Sequence, residues 1–234
     1  MKKFLSSFKE LSGFELGLWI SSLFLIIISF LFLEEKSYFN LFCSLIGATA
    51  LIFVAKGYVL GQVLTLVFSV FYGIISFSFS YYGEMITYLG MTAPIAVFSI
   101  VSWLKHPFHE TKEVEVAKIS ARQVYVMVIF AILITLGFYF ILKYLNNENL
   151  IISTISVTTS FLASYLSFLR SPYYALAYAA NDVVLIILWI LASLANAAYF
   201  PMIVCFVVFL LNDTYGFVNW RKIYSHQRRV STED

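Results

Sequence analysis

The sequence predicts an all-α membrane protein with eight transmembrane helices, and three observations predict it. The first is composition. Of 234 residues, 61% are hydrophobic, 19% are aromatic and only 12% are charged. A soluble domain carries about 25% charged residues, so this chain lacks the polar groups to cover a globular surface. The second is a series of apolar runs at 16–33, 39–55, 58–80, 84–103, 122–143, 149–169, 173–195 and 199–220. Each is at or near the roughly 20 residues a helix needs to cross the hydrocarbon layer. They are continuous and show no period-2 alternation, which selects helices over a barrel. The third is charge asymmetry. With the N-terminus inside, every basic residue except Lys36 and Lys143 falls on one side.

The elements follow in order. The N-terminal MKKFLSSFKELSGFE segment is basic, but no small-residue cleavage site follows the first apolar run, so that run reads as a retained span. Glu34-Glu35-Lys36-Ser37 turns the chain into the second span, and Lys56-Gly57 turns it into the third. Pro94 bends the fourth. The 104–121 segment, with KHPFHETKEVEVAK, mixes both signs and reads as a solvated connector with a surface helix. Arg170 precedes the seventh span, and Arg221, Lys222, Arg228 and Arg229 follow the eighth. Short loops rich in Lys and Arg stay cytoplasmic. An even number of spans with both termini cytoplasmic therefore fits the charges, whereas seven would put one terminal basic cluster outside.

An internal repeat organises the spans. Met85-Ile86 and Val101-Ser102-Trp103-Leu104-Lys105 recur as Met202-Ile203 and Val218-Asn219-Trp220-Arg221-Lys222, with Phe98 meeting Tyr215, all at one offset of 117 residues. A Trp-Lys helix end has a plain reading as an interfacial anchor, which explains the residue types but not the shared spacing. Four spans separate the copies, so they run parallel, an arrangement that in transporters places the solute site between the halves. The expected organisation is a 1–38 cytoplasmic segment with an extra first helix, a 39–103 three-helix repeat, a 104–148 loop and linker helix, a 149–220 second repeat, and a 221–234 basic cytoplasmic tail.

Polar residues inside spans are costly and mark function. Span 7 carries Asn181-Asp182, and span 8 carries Asn212-Asp213 with Tyr215-Gly216 and Asn219. Span 3 carries Gln62, Thr65, Ser69 and Tyr72, span 4 carries Thr87, Tyr88 and Thr92, and span 6 is rich in Ser and Thr. A charged carboxylate facing lipid costs about 2.5 kcal/mol or more, so Asp182 and Asp213 face protein, water or solute. One reading makes them a structural hydrogen-bond pair holding spans 7 and 8. The other makes them a wall of a solute cavity. Neighbours on a helix point apart, so each Asn-Asp doublet suits a helix that packs on one side and lines a cavity on the other. Buried Tyr hydroxyls want partners, and Tyr72, Tyr88, Tyr174, Tyr178 and Tyr215 lie within the repeats. Tyr and Asn together suit a flat ring bearing hydroxyls. Tyr81, Tyr82 and Tyr199, near helix ends, read as belt residues. Cys43 and Cys205 lie in apolar runs and read as small buried hydrophobes. His106, His109 and His226 fall in loops without metal-ligand spacing, so neither metal nor cofactor is expected. No basic face outside the spans suits nucleic acid; the partners expected are membrane lipid and a small-molecule vitamin or nucleoside.

Asn212-Asp213-x-Tyr215-Gly216-x-x-Asn219-Trp220, followed by Arg221-Lys222, together with Arg170-x-x-x-Tyr174, Asn181, Tyr72-Gly73 and Trp103, resembles the PnuC-type nicotinamide riboside transporters of bacteria over roughly residues 39–224. The resemblance implies a SWEET-like 3+1+3 core and a homotrimer in the cell membrane. It implies facilitated diffusion of the vitamin, which is then trapped by phosphorylation inside. The polar and tyrosine residues inside the spans make Gln62, Tyr72, Tyr88, Tyr174, Tyr178, Asn181, Asp182, Asn212, Asp213 and Tyr215 the candidate substrate site. Where the family often has Trp-x-x-Trp, this chain has Tyr174 and Ala177, which removes aromatic surface from the ring-binding region. Related members look suited to thiamine, riboflavin or deoxynucleosides, and those substrates stay open. An intramembrane hydrolase would need a nucleophile with its base, a metal set or two opposed acids. Asp182 and Asp213 are the only such pair, and they lack a Gly-rich context. A channel is the remaining alternative; the expectation is a transporter and not an enzyme.

Overall fold

In the computed structural model, which describes residues 2–31, 38–78, 81–147 and 149–233, the chain folds into helices α1 (Lys2–Lys9), α2 (Gly13–Leu31), α3 (Tyr38–Ala55), α4 (Val59–Ser78), α5 (Tyr82–Thr87), α6 (Ala93–Lys105), α7 (Ala121–Tyr144), α8 (Leu150–Phe168), α9 (Tyr174–Ala195) and α10 (Phe200–Glu233). With α5 and α6 taken together, eight of these segments among the described residues are long and apolar enough to cross a membrane. The turn expected at Glu34–Ser37 lies outside the described residues. Elsewhere the span limits match the apolar runs to within a few residues, with one exception. The last helix continues past 220 to Glu233, because no Gly or Pro interrupts it after Gly216.

α5 passes into α6 through a π-helical turn over Tyr88–Thr92, closed by a bond from the Ala93 N–H to the Tyr88 carbonyl. Pro94 forces this irregularity. It has no N–H to give to Gly90, so the fourth span cannot run as a regular α-helix here.

Both termini sit at one end of the bundle. Lys112 Nζ reaches Ser6 Oγ at 2.8 Å and Glu10 at 2.6 Å, and Gln227 of α10 bonds Val116 N and Val114 O at 2.8 and 3.1 Å. The 106–119 loop that makes these contacts is not the solvated connector with a surface helix that its mixed charge suggested. It bridges to Tyr58 through Glu113 and folds Pro107 onto Val114, with Val114 and Val116 buried. Its spaced valines are what tack it to the helix ends. Glu10 also accepts from the Tyr58 hydroxyl at 2.8 Å, and the Lys112 ammonium holds its carboxyl below the usual carboxylate range.

At the same end, α3 and α8 finish in the same way. α3 stops at a left-handed Gly57 (φ 70°), with Gly57 N on Val54 O and Tyr58 N on Phe53 O. α8 stops at a left-handed Arg170 (φ 58°), with Arg170 N on Ser167 O and Ser171 N on Leu166 O. Both are Schellman endings. Each is then clamped from the other half. Trp220 Nε1 donates to Val54 O (2.8 Å) and Asn219 Nδ2 to Ala55 O (2.9 Å). Trp103 Nε1 donates to Ser167 O (3.0 Å) and Ser102 Oγ to Phe168 O (3.1 Å). The two indoles, 117 residues apart in sequence, pack on each other at 5.4 Å. At the opposite end another pair at the same offset meets: Trp189 Nε1 donates to the Tyr72 hydroxyl at 3.1 Å across a separation of 117 residues.

α2 is held to this body by polar contacts. Glu15, only 3% exposed, accepts from Lys56 Nζ at 3.1 and 3.2 Å and from the Tyr215 hydroxyl at 2.9 Å. Asn212 Nδ2 donates to Ser22 Oγ at 2.9 Å. α7 is peripheral: it packs on α8, where Thr135 and Thr158 hydroxyls meet at 2.7 Å, and turns its remaining apolar faces outward.

Two outcomes follow for purified protein. Gly57→Ala places a Cβ at a left-handed position, which costs about 1–2 kcal/mol, and lowers the melting temperature in detergent. Lys56→Met leaves Glu15 buried without its cation, a loss of roughly 3 kcal/mol. The double variant Lys56→Met/Glu15→Gln recovers part of that loss in the same thermal melt; a double variant no more stable than the single one contradicts the ion-pair account.

Candidate functional site

A cavity of about 50 Å³ lies in the middle of the bundle, enclosed by α3, α4, the π-helical turn, α9 and α10. Helical spacing builds each wall. α9 contributes Tyr174, Tyr178, Asn181 and Asp182, which recur at one helical face. α4 contributes Gln62, Thr65, Phe68 and Ser69, and α10 contributes Phe206, Phe209 and Asp213. The π-turn delivers Tyr88 and Thr92. On α3 the wall is small and smooth at Gly47 and Ala50. Gly47 is required there, since a Cβ would collide with the rings of Phe209 and Phe68.

The polar groups are tightly oriented. Thr159 and Ser160 of α8 both donate to Asn181 Oδ1, at 2.8 and 3.0 Å. This occupies the amide oxygen and leaves the NH₂ group as a donor for a solute. Gln62 Nε2 donates to Ser167 Oγ at 2.9 Å, which leaves its amide oxygen as an acceptor. Tyr178 shares a hydrogen bond with Ser164 at 3.2 Å. Asp182 and Asp213, on neighbouring helices, both face this cavity and are both buried. Asp182 Oδ2 and Thr92 Oγ1 are buried and have no partner among the described residues. No Lys, Arg or His lies in the lining, and no cluster of metal-ligating side chains occurs among the described residues.

Aromatic plugs close both ends. Toward the termini, Tyr174 packs on Trp220 at 4.7 Å and Trp220 on Trp103. Toward the other end, Tyr72 packs on Tyr88 at 4.4 Å and on Phe206 at 5.8 Å, while Trp189 packs on Tyr81 at 5.1 Å and on Tyr199 at 5.7 Å. The enclosed volume is well below the roughly 300 Å³ at which pockets for drug-sized ligands begin, so a solute larger than a few waters enters only if these walls move apart.

Of the residues expected from sequence, Gln62, Tyr88, Tyr174, Tyr178, Asn181, Asp182 and Asp213 border this one cavity. Asn181 and Asp182 both border it, although neighbours on a helix were expected to diverge; the cavity is wide enough at α9 to take both. Tyr72 stands one layer out in the plug, and Asn212 and Tyr215 point to α2 through Ser22 and Glu15. Tyr81 and Tyr199, expected as belt residues, pack on Trp189 instead. Phe68, Phe206 and Phe209 were not singled out, because a phenylalanine in an apolar run carries no sign of which way it faces. Glu84 was also missed. It stands at the first position of a predicted span and reads as a helix-end charge, yet it is 1% exposed.

A chamber lined by amides, phenols, hydroxyls and two carboxyls offers hydrogen-bond partners and ring faces to an organic solute. The comparisons agree. Residues 37–222 match the family model described as nicotinamide mononucleotide transporter. The chain is 26% identical over 182 residues to the nicotinamide riboside transporter PnuC of Neisseria mucosa, covering 76% of this chain and 69% of that protein. Its fold matches the crystal structure of the vitamin B3 transporter PnuC with a TM-score of 0.81 at 24% identity, over 93% of this chain and 94% of that one. The chain belongs to the nicotinamide mononucleotide transporter family: it is a multi-span membrane transporter and not an enzyme.

Proposed function

We propose that this chain takes up nicotinamide riboside across the plasma membrane by facilitated diffusion, through a chamber between two parallel three-helix repeats at 39–103 and 149–220. The observation that carries the substrate is the Asp182–Asp213 pair among aromatic walls with no basic residue in the lining. Nicotinamide riboside is a flat pyridinium cation with ribose hydroxyls. Two acidic side chains without a basic partner favour a cation over an anion, ring faces favour a cation, and the Asn181 and Gln62 amides offer a donor and an acceptor to hydroxyls or carboxamide. Nicotinamide mononucleotide adds a phosphate, which would face two carboxyls and no cation. The name of the similar Neisseria mucosa protein points the same way for the riboside. Thiamine, also a flat cation, is the second reading on the same ground; neutral thymidine and riboflavin fit the acid pair less well.

The two-repeat reading is supported by the matched Schellman endings, the reciprocal clamps and the residue pairs 117 apart that meet at both ends of the bundle. With short basic loops cytoplasmic, the end holding both termini faces the cytoplasm, and α5 begins at the outer end. The outward apolar faces of α7 leave room for the neighbours of a homotrimer.

Calorimetry on the detergent-solubilised protein tests the substrate. Nicotinamide riboside binds, nicotinamide mononucleotide does not, and Asp182→Asn or Asp213→Asn weakens the riboside at least about tenfold, ~1.4 kcal/mol; equal binding of the mononucleotide overturns the assignment. For the mechanism, initial uptake into proteoliposomes at a clamped membrane potential stays within twofold when a pH gradient is imposed. Strict dependence on that gradient replaces facilitated diffusion with proton coupling.

A further inference from the structure

Glu84 is a second acid at membrane depth, set apart from the central pair. Ser156 Oγ donates to its Oε1 at 3.1 Å, while Oε2 has no partner among the described residues. None of the ion pairs among the described residues involves it. An ionisable side chain in this position is costly and needs a reason. Its surroundings supply one. Tyr88, one helical turn further in, borders the central cavity. Tyr72 leans edge-on against Tyr88 and takes the Trp189 indole bond. Three π-faces and a half-satisfied carboxyl thus stand together in the seal between the outer end and the chamber.

We propose that Glu84, Tyr72, Tyr88 and Trp189 form an outer subsite for a flat organic cation, occupied when the outer plug opens and before the solute reaches Asp182 and Asp213. Opening separates rings that now stack on one another and offers their faces to the cation, with the carboxylate as counter-charge. The second repeat has no equivalent: 117 residues beyond Glu84, at the same end of the bundle, stands Pro201. An acid at this depth therefore belongs to the first repeat alone. The inference rests on the proposed cationic substrate.

The experiment compares initial uptake of nicotinamide riboside with that of its uncharged 1,4-dihydro form in proteoliposomes. Glu84→Gln lowers kcat/KM for the cation about tenfold and leaves the neutral form within twofold. Calorimetric affinity of the solubilised variant for the cation stays within threefold of wild type, because equilibrium binding at the central pair does not depend on the route. Glu84→Asp, which keeps the charge, retains most of the preference for the cation. Equal losses for both substrates, or no loss for either, overturn the subsite. If Glu84→Gln does not fold, Trp189→Leu answers the same question: it must depress the cation more than the neutral form, and an equal effect overturns the proposal. Wild-type protein that carries neither substrate overturns the nicotinamide riboside assignment itself, an outcome distinct from a Glu84→Gln variant indistinguishable from a working wild type.

Discussion

A helix that ends near a hydrocarbon layer leaves carbonyls that water reaches poorly, and the rest of this structure is organised around supplying them with donors. α3 and α8 end beside each other's half of the molecule. Their last carbonyls take two sets of bonds, one from their own Schellman turns and one from Trp220 with Asn219 or Trp103 with Ser102. Each half thereby completes the other. The indoles that perform this task also pack on one another at a tilt, so the same side chains that satisfy backbone close the chamber at the end that holds the termini.

The chamber shows the same economy. α9 and α10 each bring one carboxyl to the same cavity. Thr159 and Ser160 orient Asn181 from α8, and Ser167 does so for Gln62 from the far end of the same helix. α8 supplies none of the lining residues, yet through these bonds it fixes which face of each amide a solute meets. The Ser- and Thr-rich face of α8 is a set of orienting donors.

Span number, span limits and the offset of 117 were legible in the sequence because each is a property of residue type along the chain. Tyr174, Tyr178, Asn181 and Asp182 were legible as candidates one by one, but that Asn181 and Asp182 would face the cavity together was not. What was not legible depends on rotation about a helix axis or on partners distant in sequence. Asn212 and Asp213 are neighbours of similar polarity, and only packing decides that the first turns to Ser22 of α2 and the second to the chamber. Tyr215 carries the resemblance to the family yet serves Glu15. The 106–119 loop hid its role because its charges outnumber the two valines that bury it. Glu84 was hidden by a boundary of a few residues, since a carboxyl at a helix end and a carboxyl inside a bundle look alike until the neighbouring helices are in place.

The contact between Tyr72 and Trp189 has a consequence for two positions 117 residues apart that meet. Two indoles facing each other there would both donate and neither accept, and two phenols would lack the larger ring. Because the two positions hold different residues, an N–H meets a hydroxyl oxygen. Unlike side chains thus permit a directional bond that a matched pair of indoles forbids, in the aromatic layer at the end of the bundle opposite the termini. At the other end both positions are tryptophan, and there each looks past its twin to a backbone carbonyl.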